Sequence, residues 1–187
     1  YDHRFGHDRS DGFEQYVEYG GQVGMEVRKA SPYDEGNIRV SSSEIRRLLQ
    51  EGKVEMANAL LTYPYQLRGR IVSGYKVGRT IGFPTANIEV DSPYKLLPKV
   101  GVYAVWVELL GKRYKGMLYI GKRPTLQNGD NLTIEVNILG FSGNAYNDEI
   151  TVSFVYAVRE DKTFESVEAL REQLERDRQT VDKLLVE

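Results

Sequence analysis

Ile150-Thr151-Val152-Ser153-Phe154-Val155-Tyr156-Ala157-Val158 places Ile150, Val152, Phe154, Tyr156 and Val158 at strict period two. That period belongs to an extended strand, whose successive side chains point to opposite faces. Working outward, comparable apolar and β-branched runs occupy 65–72, 101–110, 112–120 and 132–139, and the strand quoted above spans 149–158. Leu110-Gly111-Lys112 reads as a tight hairpin turn between two of them. Several short strands punctuated by turn signals predict an antiparallel barrel, which closes its own edges. The period then changes. Over 166–186, Val167, Leu170, Leu174, Val181 and Leu185 fall on one helical stripe, with Glu165 and Glu168 near the end where the helix dipole favours anions.

Ahead of Pro64 the character differs. The sequence predicts a helix over 13–19 stopped by Gly20-Gly21, an alternating strand over 23–29 and a loop over 31–37. Ser41 and Glu44 form a capping-box pattern that opens a helix to Glu51, where Gly52 stops it; a second helix covers 54–61. We expect two parts: an incomplete α/β segment over 1–63 and a barrel domain over 64–187. The chain opens on Tyr1 rather than Met, and we read it as a piece of something longer.

Bulk properties narrow the field. The 187 residues are 41% hydrophobic and 28% charged with a net charge of −2, which asks for neither nucleic acid nor an anionic membrane. Without cysteine there are no disulfides, thiolate metal sites or cysteine nucleophiles, and a reducing cytoplasm fits. The longest apolar run, 102–107, is far short of the ~20 residues of a membrane span. His3 and His7 are the only histidines; their spacing of four suits one helix face, but Gly6 and the surrounding charge favour a loop over a metal pair. A Ser-His-Asp hydrolase is correspondingly disfavoured.

The stretch richest in chemistry runs Gly74-Tyr75-Lys76-Val77-Gly78-Arg79-Thr80-Ile81-Gly82-Phe83-Pro84-Thr85-Ala86-Asn87. Gly74, Gly78 and Gly82 let bare backbone approach a ligand, and successive N–H groups there can form an anion nest. Lys76 and Arg79 add positive charge. Thr85 and Asn87, two apart on extended backbone, share a face and offer hard oxygen donors suited to Mg²⁺ beside phosphates. The plain alternative is a glycine-rich hairpin with a polar edge. Neither a P-loop nor the protein-kinase signature set is present.

Gly78 to Ile88, around Pro84-Thr85-Ala86-Asn87, closely resembles the signature of the riboflavin kinase family. Gly101-Val102-Tyr103-Ala104-Val105, Ile120-Gly121-Lys122-Arg123-Pro124-Thr125, Thr133-Ile134-Glu135-Val136-Asn137-Ile138, Val158-Arg159-Glu160 and Phe164-Glu165-Ser166 follow in family order. The resemblance implies a mainly β fold, a six-stranded antiparallel Greek-key barrel with a C-terminal helix. It implies riboflavin and ATP as small-molecule substrates, Mg²⁺ at Thr85 and Asn87, and ATP contacts from Gly74, Lys76, Gly78, Arg79 and Gly82 as well. Glu135 is the implied general base, and Tyr146, Arg159 and Phe164 lie where the family approaches the flavin. It implies no nucleic-acid, membrane or obligate protein partner, and a cytoplasmic setting. Three positions depart: Tyr119 stands where many relatives carry Asn, Ser142 where Asp is common and Asn147 where Gly is common.

Tyr1 to Arg9 and Ser41-Ser42-Ser43-Glu44-Ile45-Arg46 resemble late segments of the FMN adenylyltransferase part of bifunctional bacterial FAD synthetases. Ser42, Ser43 and Arg46 form a hydroxyl-rich helix start with an arginine one turn in, a pattern suited to phosphate. That family's opening strand and His-x-Gly-His motif are absent here, so we expect this chain not to adenylylate FMN efficiently, whereas the full-length protein would. Two other readings stand beside the kinase: a non-catalytic flavin- or nucleotide-binding barrel, and an oligonucleotide-binding barrel. Thr85, Asn87 and Glu135 together argue against the first, and the slightly acidic charge against the second.

Overall fold

The computed structural model describes residues 4, 8, 10–29, 31, 34–35, 38–73, 81–122 and 132–186. Two compact units divide the chain, Tyr1–Ser41 and Ser42–Glu187.

In the first unit, helix α1 (Phe13–Gln22) starts where the Gly12 N–H donates to Gln15 Oε1 at 2.9 Å. It runs through Gly20 and Gly21 instead of stopping there. Gly20 is a packing residue: a Cβ on it would lie 2.4 Å from Val27 Cγ2. The turn comes later, at Val23-Gly24, where Gly24 takes φ +72°. The predicted strand over 23–29 does not form; Val23 and Met25 are exposed and no strand pairs with them among the described residues. Two short strands, β1 (Asp34–Glu35) and β2 (Ile38–Arg39), pair antiparallel.

The second unit opens with α2 (Ser42–Gln50) and α3 (Val54–Leu61), separated by Gly52 at φ +80°. Leu48, Leu49, Val54, Ala57 and Leu60 are buried. Six strands follow: β3 (Gln66–Val72), β4 (Ala86–Val90), β5 (Gly101–Leu109), β6 (Lys112–Lys122), β7 (Leu132–Ile138) and β8 (Glu149–Glu160). They close antiparallel in the order β3-β4-β7-β6-β5-β8. Strands β5, β6 and β7 form a meander and β8 returns beside β5, which is a Greek key. Residues Leu110 and Gly111 join β5 to β6 with φ of +50° and +72°, the two positive values a primed hairpin turn requires. Strand β4 is the one the period-two reading did not list.

Inside the barrel lie Leu67, Ile71, Ile88, Val105, Val107, Leu118, Val136, Ile150, Val152 and Phe154, all buried. Gly116 is enclosed with them, since a Cβ there would meet Val107 Cγ2 at 2.6 Å. The β8 alternation holds inward only as far as Phe154. Register shifts between β5 and β8 then turn the chain, and Val155, Tyr156 and Val158 pack on the outer face instead. There they meet a second core of Val102, Ala104, Trp106 and Met117, covered by Val181 and Leu185 of helix α4 (Val167–Leu184) and the residue after it. Ser166 caps α4, its Oγ accepting from the Ala169 N–H at 3.1 Å. Val167, placed on the apolar stripe by sequence, is exposed.

Helix α3 is stitched to the barrel. Asn58 Nδ2 donates to the Phe154 carbonyl at 2.8 Å, and its Oδ1 accepts from the Tyr65 N–H at 2.7 Å. Glu55 accepts from the Ala157 N–H at 3.0 Å. Side chains of α3 thus complete backbone bonds of β8, and the compact unit reaches back to Ser42, ahead of the compositional break near Pro64.

Candidate active site

On β7, Ile134, Val136 and Ile138 point inward, so Thr133, Glu135 and Asn137 face out. Pairing sets their neighbours. Glu135 lies opposite Asn87 on β4 and opposite Tyr119 on β6, so Asn87, Glu135 and Tyr119 form one row across three strands on the outer face. Thr85, just before β4, donates from Oγ1 to Glu135 Oε2 at 3.0 Å. Asn137, buried, donates from Nδ2 to the Pro84 carbonyl at 2.7 Å and thereby fixes the residue preceding Thr85.

A cleft of about 720 Å³ opens at the Asn87 end of this row, lined by Thr85, Asn87 and Ser73, by Val136 and Ile138 of β7, and by Phe141 and the loop that carries Tyr146. Glu135 adjoins it through Thr85. A threonine hydroxyl that donates to a carboxylate still has its oxygen lone pairs free for a cation, so Thr85 can serve both. Asn87 is nearly buried and lines the same cleft. Among the described residues no group of three or more His, Cys, Asp or Glu converges. Mg²⁺ in nucleotide sites takes hard oxygen ligands and keeps several waters beside the phosphates, and the neutral oxygens of Thr85 and Asn87 are compatible with that.

The sequence profile of the flavokinase family, described as riboflavin kinase, matches residues 61–185. This chain belongs to the riboflavin kinase family. It is 45% identical over 141 residues to a bifunctional riboflavin kinase/FMN adenylyltransferase of Listeria monocytogenes, covering 75% of this chain and 45% of that protein. The Escherichia coli K12 protein of the same description is 35% identical over 180 residues, 96% of this chain and 56% of its own length. The chain thus spans about half the length of the relatives it matches. A crystal structure described as a macrolide-efflux protein from Streptococcus pneumoniae superposes with a TM-score of 0.86 at 33% identity, over 97% of this chain and 58% of that one. Efflux is said of that protein; here, no helix among the described residues is long and apolar enough to cross a membrane.

The remaining predicted residues fall into separate places. Gly74, Lys76, Gly78 and Arg79 lie outside the described residues. Gly82 is described, at φ +85°, two residues before Pro84. Tyr146 is exposed and lines the cleft with Thr85 and Asn87. Its neighbour Asn147 takes φ +70°, a left-handed conformation that Asn tolerates and Gly adopts freely. Arg159 and Phe164 instead sit at the β8–α4 connection, the guanidinium 5.6 Å from the ring centroid. Arg159 Nε donates to Asp177 Oδ2 at 2.8 Å, and Asp177 also accepts from Gln173 Nε2 at 2.8 Å. Asp177 is almost fully buried on α4, so this pair fastens the helix to β8. Ser42, Ser43 and Arg46 are exposed at the start of α2.

Sequence reading did not single out Asn137, Asp177 or the Tyr119 hydroxyl as functional. The Tyr119 phenol donates to Asp161 Oδ1 at 3.1 Å. Burial first, then the Asp161 and Glu135 charges, push its pKa up to about 12, so it stays protonated as a donor at neutral pH. Asn137 had a signal: it stands two residues after Glu135 and therefore on the same face.

Proposed function

We propose that this chain transfers the γ-phosphoryl group of ATP to the 5′-hydroxyl of riboflavin, giving FMN. Glu135 takes the hydroxyl proton as the new O–P bond forms and the bond to the departing ADP oxygen breaks. A primary alcohol needs such help, and a positioned base supplies ~10²–10⁴-fold. Thr85 orients the carboxylate through its hydrogen bond, and Asn137 holds the Pro84 carbonyl so that Thr85 stays in place. Thr85 and Asn87 would hold Mg²⁺, which neutralises charge on the phosphates. The contact at 3.0 Å between Thr85 and Glu135 carries this reading, because it joins the phosphate side and the base in one constellation. The expected ATP contacts at Gly74, Lys76, Gly78, Arg79 and Gly82 belong to the same reading.

Residues 1–63 we read as the end of an adenylyltransferase domain, with Ser42, Ser43 and Arg46 from its phosphate site; the full-length protein then converts FMN to FAD. The enzyme acts in the cytoplasm, in keeping with the lack of cysteine. Incubating the chain with riboflavin, ATP and MgCl₂ and separating the flavins chromatographically tests the proposal. FMN without FAD is the expected result; no FMN from protein shown to be folded would overturn the kinase assignment.

A further inference from the structure

We propose that Tyr119 is a specificity-determining residue whose ring walls the riboflavin side of the site, across Glu135 from the nucleotide. The inference rests on the kinase reading above and goes beyond it by giving Tyr119 a role in that reaction. In an in-line phosphoryl transfer the attacking and leaving oxygens stand on opposite sides of the phosphorus. Thr85 and Asn87 belong to the β4 side of Glu135, whereas Tyr119 belongs to the β6 side. With the phosphates over β4 and the base between, the hydroxyl and the molecule attached to it approach over β6. Tyr119 is the first side chain they meet in that row.

Its posture suits the task. The ring passes directly over Gly121, where an added Cβ would lie 2.2 Å from ring atoms; any other residue at 121 would displace it. At the far end the phenol is tied to Asp161, which also accepts from the Lys162 N–H at 2.9 Å. Held at both ends, a half-buried aromatic gives a flat contact surface at little further entropic cost on binding. Arg159 and Phe164 lie beyond it at the same β8–α4 connection, so the rim continues in groups that pack well on a planar conjugated ring. The competing role is packing alone, since Tyr119 also touches the outer core under α4. Packing alone would shift stability, or affect both substrates alike.

Two variants separate these roles. Tyr119→Leu keeps apolar bulk under α4 and removes the ring. We expect its KM for riboflavin to rise roughly three- to tenfold, the size of one aromatic contact, with the KM for ATP within about twofold. Tyr119→Phe keeps ring and packing and should restore the riboflavin KM to near that of the parent. An unchanged riboflavin KM in Tyr119→Leu, or equal rises for both substrates, overturns the proposal. Should Tyr119→Leu fail to fold, flavin emission decides. A phenol in contact with bound riboflavin quenches it, so with ADP and Mg²⁺ present Tyr119→Phe should bind with brighter emission; identical quenching overturns the contact. Absence of FMN formation by the parent chain itself would defeat the kinase reading, a result distinct from either variant outcome.

Discussion

Along β7 the inward residues Ile134, Val136 and Ile138 are buried apolar groups, whereas Thr133, Glu135 and Asn137 on the outward side carry oxygen and nitrogen. The two sets share one backbone and one ladder of hydrogen bonds, and differ only in parity. The inward set, with Leu118 and Phe154, holds the barrel together. The outward set, with Thr85 and Asn87, supplies the polar groups of the proposed site. Apolar packing and the polar groups thereby fall on opposite sides of the β7 backbone, although Val136 and Ile138 also reach the wall of the cleft, and a slip of one residue in register would exchange the two sets. The comparison also has a boundary. Past Tyr119 the outer face is covered by α4, and there a buried charged pair, Arg159 with Asp177, takes over the structural role.

Substitutions can break the division in either direction. The largest effect on chemistry is expected from Glu135→Gln. Removing the base should slow FMN formation by ~10²–10⁴-fold, about 3–5 kcal/mol in barrier, with little change in the thermal unfolding midpoint. Steady-state turnover and calorimetry on the same preparation check both halves. Leu118→Ala is the inward counterpart. It should cost ~2–5 kcal/mol in denaturant unfolding through lost burial and a cavity, while folded molecules keep their turnover. Thr85→Ala returns to the outer face. With a proposed ligand and the Glu135 bond both gone, the Mg²⁺ concentration for half-maximal activity should rise roughly 10–100-fold. Asp177→Ala sharpens the boundary, because it leaves the Arg159 guanidinium without its carboxylate. A loss of ~1–3 kcal/mol in stability is expected, on an outer-face residue that touches no proposed substrate.

Much of this plan was legible in the sequence. Strands over 101–110, 112–120 and 132–139 differ from the observed ones by a residue or two at their ends, and α3 matches its predicted span. What escaped has physical causes. β4 is five residues long and flanked by Pro84-Thr85 and Asp91-Ser92-Pro93, so Ala86, Ile88 and Val90 offer only three inward positions to reveal a period. The expected strand over 23–29 does alternate, but alternation needs a partner, and Gly24 turns the chain at φ +72°. Gly20-Gly21 looked like a helix stop because glycine usually marks one; here the missing Cβ admits Val27. Within the site, Thr85, Asn87 and Glu135 were legible through the family signature, and pairing of β4 with β7 brings them together across nearly fifty residues of sequence. Asp177 was not legible, since one acid in Glu175-Arg176-Asp177-Arg178 looks like its solvated neighbours until the fold buries it against Arg159.

The most direct measurement is a crystal structure of the chain with ADP and Mg²⁺. The account predicts the metal bound by oxygens of Thr85 and Asn87, the terminal phosphate beside it, and the Glu135 carboxylate facing the space just beyond that phosphate. Nucleotide bound in a different cleft, or a Glu135 carboxylate turned away from the phosphates, would contradict it.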